Sequence, residues 1–83
     1  MLLLDQARAL RASDPGRALL LLSRHAQEHP RGKLSLDREL LAIEALRHAG
    51  RADEARSRAN ALLEGAKGRP YETKIRRVLE VQK

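Results

Sequence analysis

The sequence predicts an all-helical fold, and three observations carry that expectation. Leu, Ala, Arg, Glu and Lys dominate the composition, apolar residues recur every three or four positions, and Pro or Gly breakers fall at helix-length intervals. Strand-favouring residues are few, with two Val, two Ile and one Thr among 83 residues. With one Tyr and no Phe or Trp, the core must be built from Leu, Ala, Ile and Val. A chain of this length buries only about 60% of the surface its unfolded form exposes, so that core is thin.

Five amphipathic segments follow in order. The first places Leu3, Ala7 and Leu10 at helical spacing and stops at Ser13-Asp14-Pro15. Asp14 suits the cap of the second helix, with Pro15 at its first position, where a missing N–H costs nothing. That helix is expected from about Pro15 to His29, with Ala18, Leu22 and Ala26 on one stripe and Leu19 beside it, ended by Pro30 and Gly32. Ser35 is the expected cap of the third, where Leu36, Leu40, Ile43 and Leu46 recur and Asp37 and Glu39 suit the positive end. Gly50 closes it in the left-handed conformation. The fourth turns Ala52, Ala55, Ala59, Leu62, Leu63 and Ala66 inward and frays through Gly65 and Gly68. Pro70 is expected to start the fifth, with Tyr71, Ile75, Val78 and Leu79 as its stripe. Turns this short predict antiparallel sequential neighbours.

The charge is uneven. Of the net +6, residues 67–83 carry +4, so any electrostatic footprint belongs to the C-terminal end. The absence of cysteine excludes disulfides, thiolate metal sites and thiol nucleophiles, and leaves the redox compartment open. The opening MLLL and the run from Ala18 to Leu22 are too short for a signal core or a membrane span.

Superimposing the second and fourth helices exposes a repeat. Ala18 falls on Ala55, Leu22 on Ala59 and Pro30 on Lys67 at a period of 37, while Ala7 and Leu10 match Ile43 and Leu46 at 36. The spacing Leu46, Gly50, Ala55, Ala59, with a break near Lys67, and Leu10, Ala18, Leu22, Pro30 before it, resembles the tetratricopeptide repeat. Leu10, Leu22 and Leu46 stand where that family usually has aromatic residues, and Lys67 stands for its usual Pro. Within the superfamily, Gly68-Arg69-Pro70-Tyr71 is similar to repeats of bacterial outer-membrane-assembly and cell-division-coordinator lipoproteins, and of extracytoplasmic regions of bacterial regulators.

The resemblance implies a single domain: one hairpin over about 1–32, a second over about 34–67 and a capping helix over about 70–82. It also implies a bacterial, non-catalytic scaffold, cytoplasmic or periplasmic, whose concave groove receives a partner peptide. The groove positions carry over to Arg8 and Arg11 in the first hairpin, Glu44, Arg47 and His48 in the second, and Lys74 with Arg77 on the capping helix. The partner expected there is another protein, met through an acidic or helical segment. Separately, Leu2, Leu3 and Leu4 cannot all face a one-layer core, which predicts self-association through the first helix.

Other chemistries are weaker. His25 and His29 have the i, i+4 spacing of a two-histidine metal face but lack a third ligand in any recognisable pattern, so no metal or cofactor is expected; His25 suits a semi-buried position and His29 the helix end. No nucleophile elbow, phosphate loop or carboxylate pair points to an enzyme. A basic helix-turn-helix over Arg38 to Leu63 is the alternative function. Against it, its second helix opens with Asp53 and Glu54, and the chain offers almost no aromatic surface for base stacking.

Overall fold

The computed structural model describes residues 3–30 and 34–81, with the side chains of 78, 80 and 81 left aside. Among the described residues five helices follow one another without a strand: α1 (Leu3–Leu10), α2 (Pro15–Glu28), α3 (Ser35–His48), α4 (Ala52–Ala66) and α5 (Glu72–Val81). Each helix packs on the next, and α3 also meets α1.

Local chemistry explains most of the boundaries. Asp14 accepts the Arg17 N–H at 3.2 Å and Pro15 follows it, the cap and first position expected of that pair. Gly50 has φ +78°, and around it the Arg51 N–H reaches Leu46 O at 2.9 Å while the Gly50 N–H reaches Arg47 O at 3.1 Å. These two bonds form a Schellman closure, which satisfies carbonyls that the end of α3 would otherwise leave open.

Three expected boundaries are corrected. Ser35 is not the cap of α3: Leu34 occupies that place without any side-chain cap bond, its carbonyl receiving the Arg38 N–H at 2.9 Å, and Ser35 is the first helical residue. Gly65 does not fray α4, which continues to Ala66. Pro70 does not begin α5. Gly68, at φ +74°, and the bonds Arg69 N–H to Ala66 O and Glu72 N–H to Arg69 O spend residues 67–71 in turns, and Tyr71 is left 39% exposed.

The core has two clusters divided by α3. One joins Leu4, Ala7, Ala18 and Leu22 to Leu41, Ala42 and Ala45. The other joins Ile43, Leu46 and Ala55, with Ala59, Leu62 and Leu79 against them. Leu19 of α2 packs against both. Helix α3 therefore buries Leu40 to Ile43 as a continuous run together with Ala45 and Leu46, more than the single stripe expected of it. In α4 only Ala55 and Ala66 are buried, Ala59, Leu62 and Leu63 are half-buried, and Ala52 is exposed, which corrects its assignment to the inward face. Ile75 of α5 is fully buried.

The expected self-association residues separate. Leu4 is buried in the first cluster, so it belongs to the core and not to an outward surface; Leu3 is half-buried, and Leu2 lies outside the described residues. Val78, expected on the α5 stripe, lies outside the described side chains.

Candidate functional site

Helices α1 and α3 bring together residues that stand 33 or more positions apart in the chain. Arg11, just past the end of α1, pairs with Glu44 of α3 through Nε at 2.6 Å, and its Nη1 donates to Arg8 O at 2.5 Å. One guanidinium thus satisfies an orphan carbonyl at the end of α1 and holds a carboxylate on α3. Arg47 and His48 extend the same side of α3 by a further turn, where cations suit the negative end of the helix. Arg11, Glu44, Arg47 and His48 line an open cleft of about 500 Å³. Arg47 and His48 are exposed, and neither forms an ion pair or side-chain hydrogen bond among the described residues.

The remaining expected groove residues stand elsewhere. Arg8 is exposed and pairs loosely with Asp5 at 3.8 Å, outside the cleft lining. Lys74 and Arg77 are exposed on α5 and do not line it either. Helix α5 packs against α4, which separates its charges from the α1–α3 side.

A second, larger hollow of about 690 Å³ lies between the start of α3 and the end of α4, with Leu36, Ala61, Leu62 and Tyr71 in its lining. Its charged groups are already engaged. Arg58 grips Glu39 with two bonds of 2.8 Å, which raises the Arg58 pKa, and Arg38 is turned toward α2. The smaller cleft, with Arg47 and His48 unengaged, is the better candidate for recognising a charged partner.

Two further contacts were not read from the sequence. Arg51 at the cap of α4 clasps Glu54 through bonds of 2.8 and 2.7 Å, which lowers the Glu54 pKa and raises that of Arg51. Arg51 itself makes no side-chain cap bond to the first-turn N–H groups of α4. His25 is the other: it is buried with Ala18 and Leu22, and its Nδ1 lies 3.2 Å from Arg38 Nη1. The signal was present, because 18, 22 and 25 share a helical face as surely as 18, 22 and 26 do. Burial and the neighbouring Arg38 charge hold the His25 pKa below the ordinary histidine value of 6.5. The rings of His25 and His29 lie 5.1 Å apart and tilted by 44°. Among the described residues no group of three or more His, Cys, Asp or Glu side chains is placed to hold a metal ion, and no helix is long and apolar enough to cross a membrane.

Comparison with protein-family models, with curated proteins and with solved structures gives no match for this chain.

Proposed function

We propose that this chain is a tetratricopeptide-like module that binds another protein and catalyses no reaction. The observation that carries the reading is the open α1–α3 cleft, where Arg11, Arg47 and His48 surround a single carboxylate, Glu44. A basic recess of that size suits a few side chains of an acidic segment and is too open to desolvate a reacting group. The repeat register supports the module reading. Of the pairs expected to be equivalent, Ala7 with Ile43 and Ala18 with Ala55 are all at most 2% exposed, whereas Leu10 is only half-buried where Leu46 is buried and Ala59 only half-buried where Leu22 is buried.

The test is amide-resolved NMR titration with an acidic peptide, a basic peptide and a DNA duplex. The acidic peptide should shift Arg11, Arg47 and His48 selectively, and Arg47→Glu should weaken the binding several-fold without changing the helical spectrum. Absence of any response to the acidic peptide overturns the reading. Duplex binding that persists at near-physiological salt would favour the basic helix-turn-helix alternative, because purely non-specific phosphate attraction weakens steeply with salt.

A further inference from the structure

Among the described residues His25 is the one buried polar side chain, and the group it meets comes from the next helix. Arginine has donors only, so the Arg38 Nη1 contact at 3.2 Å requires His25 Nδ1 to be the acceptor, and the neutral ring then carries its proton on Nε2. The same Nη1 donates to His29 O at 3.1 Å, at the carbonyl end of α2. A single guanidinium nitrogen on the first turn of α3 therefore holds both a ring nitrogen and a main-chain carbonyl at the end of α2. We propose that Arg38, His25 and the His29 carbonyl form an acid-released latch that fastens α2 to α3.

Protonation destroys this geometry directly. A proton on Nδ1 turns the acceptor into a donor facing another donor, and it sets an imidazolium beside a guanidinium. Among the described residues, the charged and titratable groups acting on the ring are Arg38 from α3 and His29 and Glu28 from α2 itself. Burial, Arg38 and His29 oppose the proton, while Glu28 favours it. Glu28 is itself paired to Arg24 at 2.9 Å. The balance lowers the folded-state value, so the latch is fully closed above 6.5 and is lost as pH falls through that lowered value. Opening it would loosen Arg11, carried with the first hairpin, from Glu44 on α3. That consequence for binding rests on the reading of the cleft; the latch does not.

The test uses the intact chain. Proton NMR follows the three imidazoles through a pH titration, and hydrogen exchange, corrected for the intrinsic rate, is compared at pH 7.5 and 5.5. His25 should titrate below 6.5. Protection should fall several-fold at the His29 N–H, which bonds His25 O at 2.8 Å, and at the Arg38 N–H, while the Arg51 N–H in the α3–α4 turn changes little. His25→Gln, whose amide oxygen can accept from Arg38 but cannot titrate, should abolish the pH difference. A His25 that titrates at or above 6.5, or equal loss of protection at all three amides, overturns the latch. So does a folded His25→Gln variant that keeps the pH difference. If that variant does not fold, the titration and exchange of the parent chain decide alone.

Discussion

At the scale of single residues, small side chains fit where larger ones cannot, and Gly50 and Gly68 take a positive φ. Ala55 is 2% exposed where α4 meets Ile43 and Leu46, so Ala55→Leu should overpack the second cluster and cost about 1–3 kcal/mol, read from the denaturation midpoint at unchanged slope. An unchanged midpoint would mean the crossing has room to spare. Gly50 is a different case. A Cβ added there meets nothing within 4 Å, so the penalty of Gly50→Ala is purely that of φ +78°, about 1–2 kcal/mol. The Arg58–Glu39 pair is two-pronged but partly exposed, and a double-mutant cycle should return a coupling of only about 0.2–1 kcal/mol.

Among the elements, α3 and α5 stand at opposite extremes. Helix α3 is packed by α1, α2 and α4, and a residue such as Leu46 is lost from water on every side. Helix α5 rests on α4 with Ile75 as its fully buried anchor and Leu79 against the second cluster. Ile75→Ala should therefore detach α5 first: its amides should lose exchange protection while the Arg51 N–H keeps its own. Simultaneous loss of protection in α3 would show that the closing helix folds as one unit with the rest.

For the whole molecule, the charge imbalance and the α1–α3 cleft sit apart. The C-terminal excess on Lys74 and Arg77 lies on α5, whereas the cleft lies between α1 and α3. Exposed charges outside the cleft lining are screened within about 10 Å at 0.1 M salt, and they act on encounter more than on the bound state. Lys74→Glu with Arg77→Glu should slow association of an acidic peptide several-fold at low salt and leave its dissociation rate nearly unchanged. Arg47→Glu should raise the dissociation rate, and surface plasmon resonance at two salt concentrations separates the two effects. The surface available for self-association is smaller than the apolar start suggested, because Leu4 is in the core; sedimentation at high micromolar concentration measures what the half-buried Leu3 and the 73% exposed Leu20 contribute.

Five helices, the Asp14-Pro15 start and the Gly50 stop were all legible in the chain, because caps, breakers and the 3.6-residue period act over one or two turns. The cleft was half legible: Arg11, Glu44, Arg47 and His48 were singled out from repeat position, and they share one recess, whereas Arg8, Lys74 and Arg77 stand outside it. Tertiary structure decided the rest. Periodicity says which residues share a face but not how many neighbours a helix has, so the burial of Leu41, Ala42 and Ala45 on α3 follows only from its position between α1 and α2 on one side and α4 on the other. The pairs Arg11–Glu44, His25–Arg38 and Glu39–Arg58 span 33, 13 and 19 positions of the chain and have no local signature. Such contacts depend on which turns of two separate helices come to lie side by side, and packing of the apolar faces sets that.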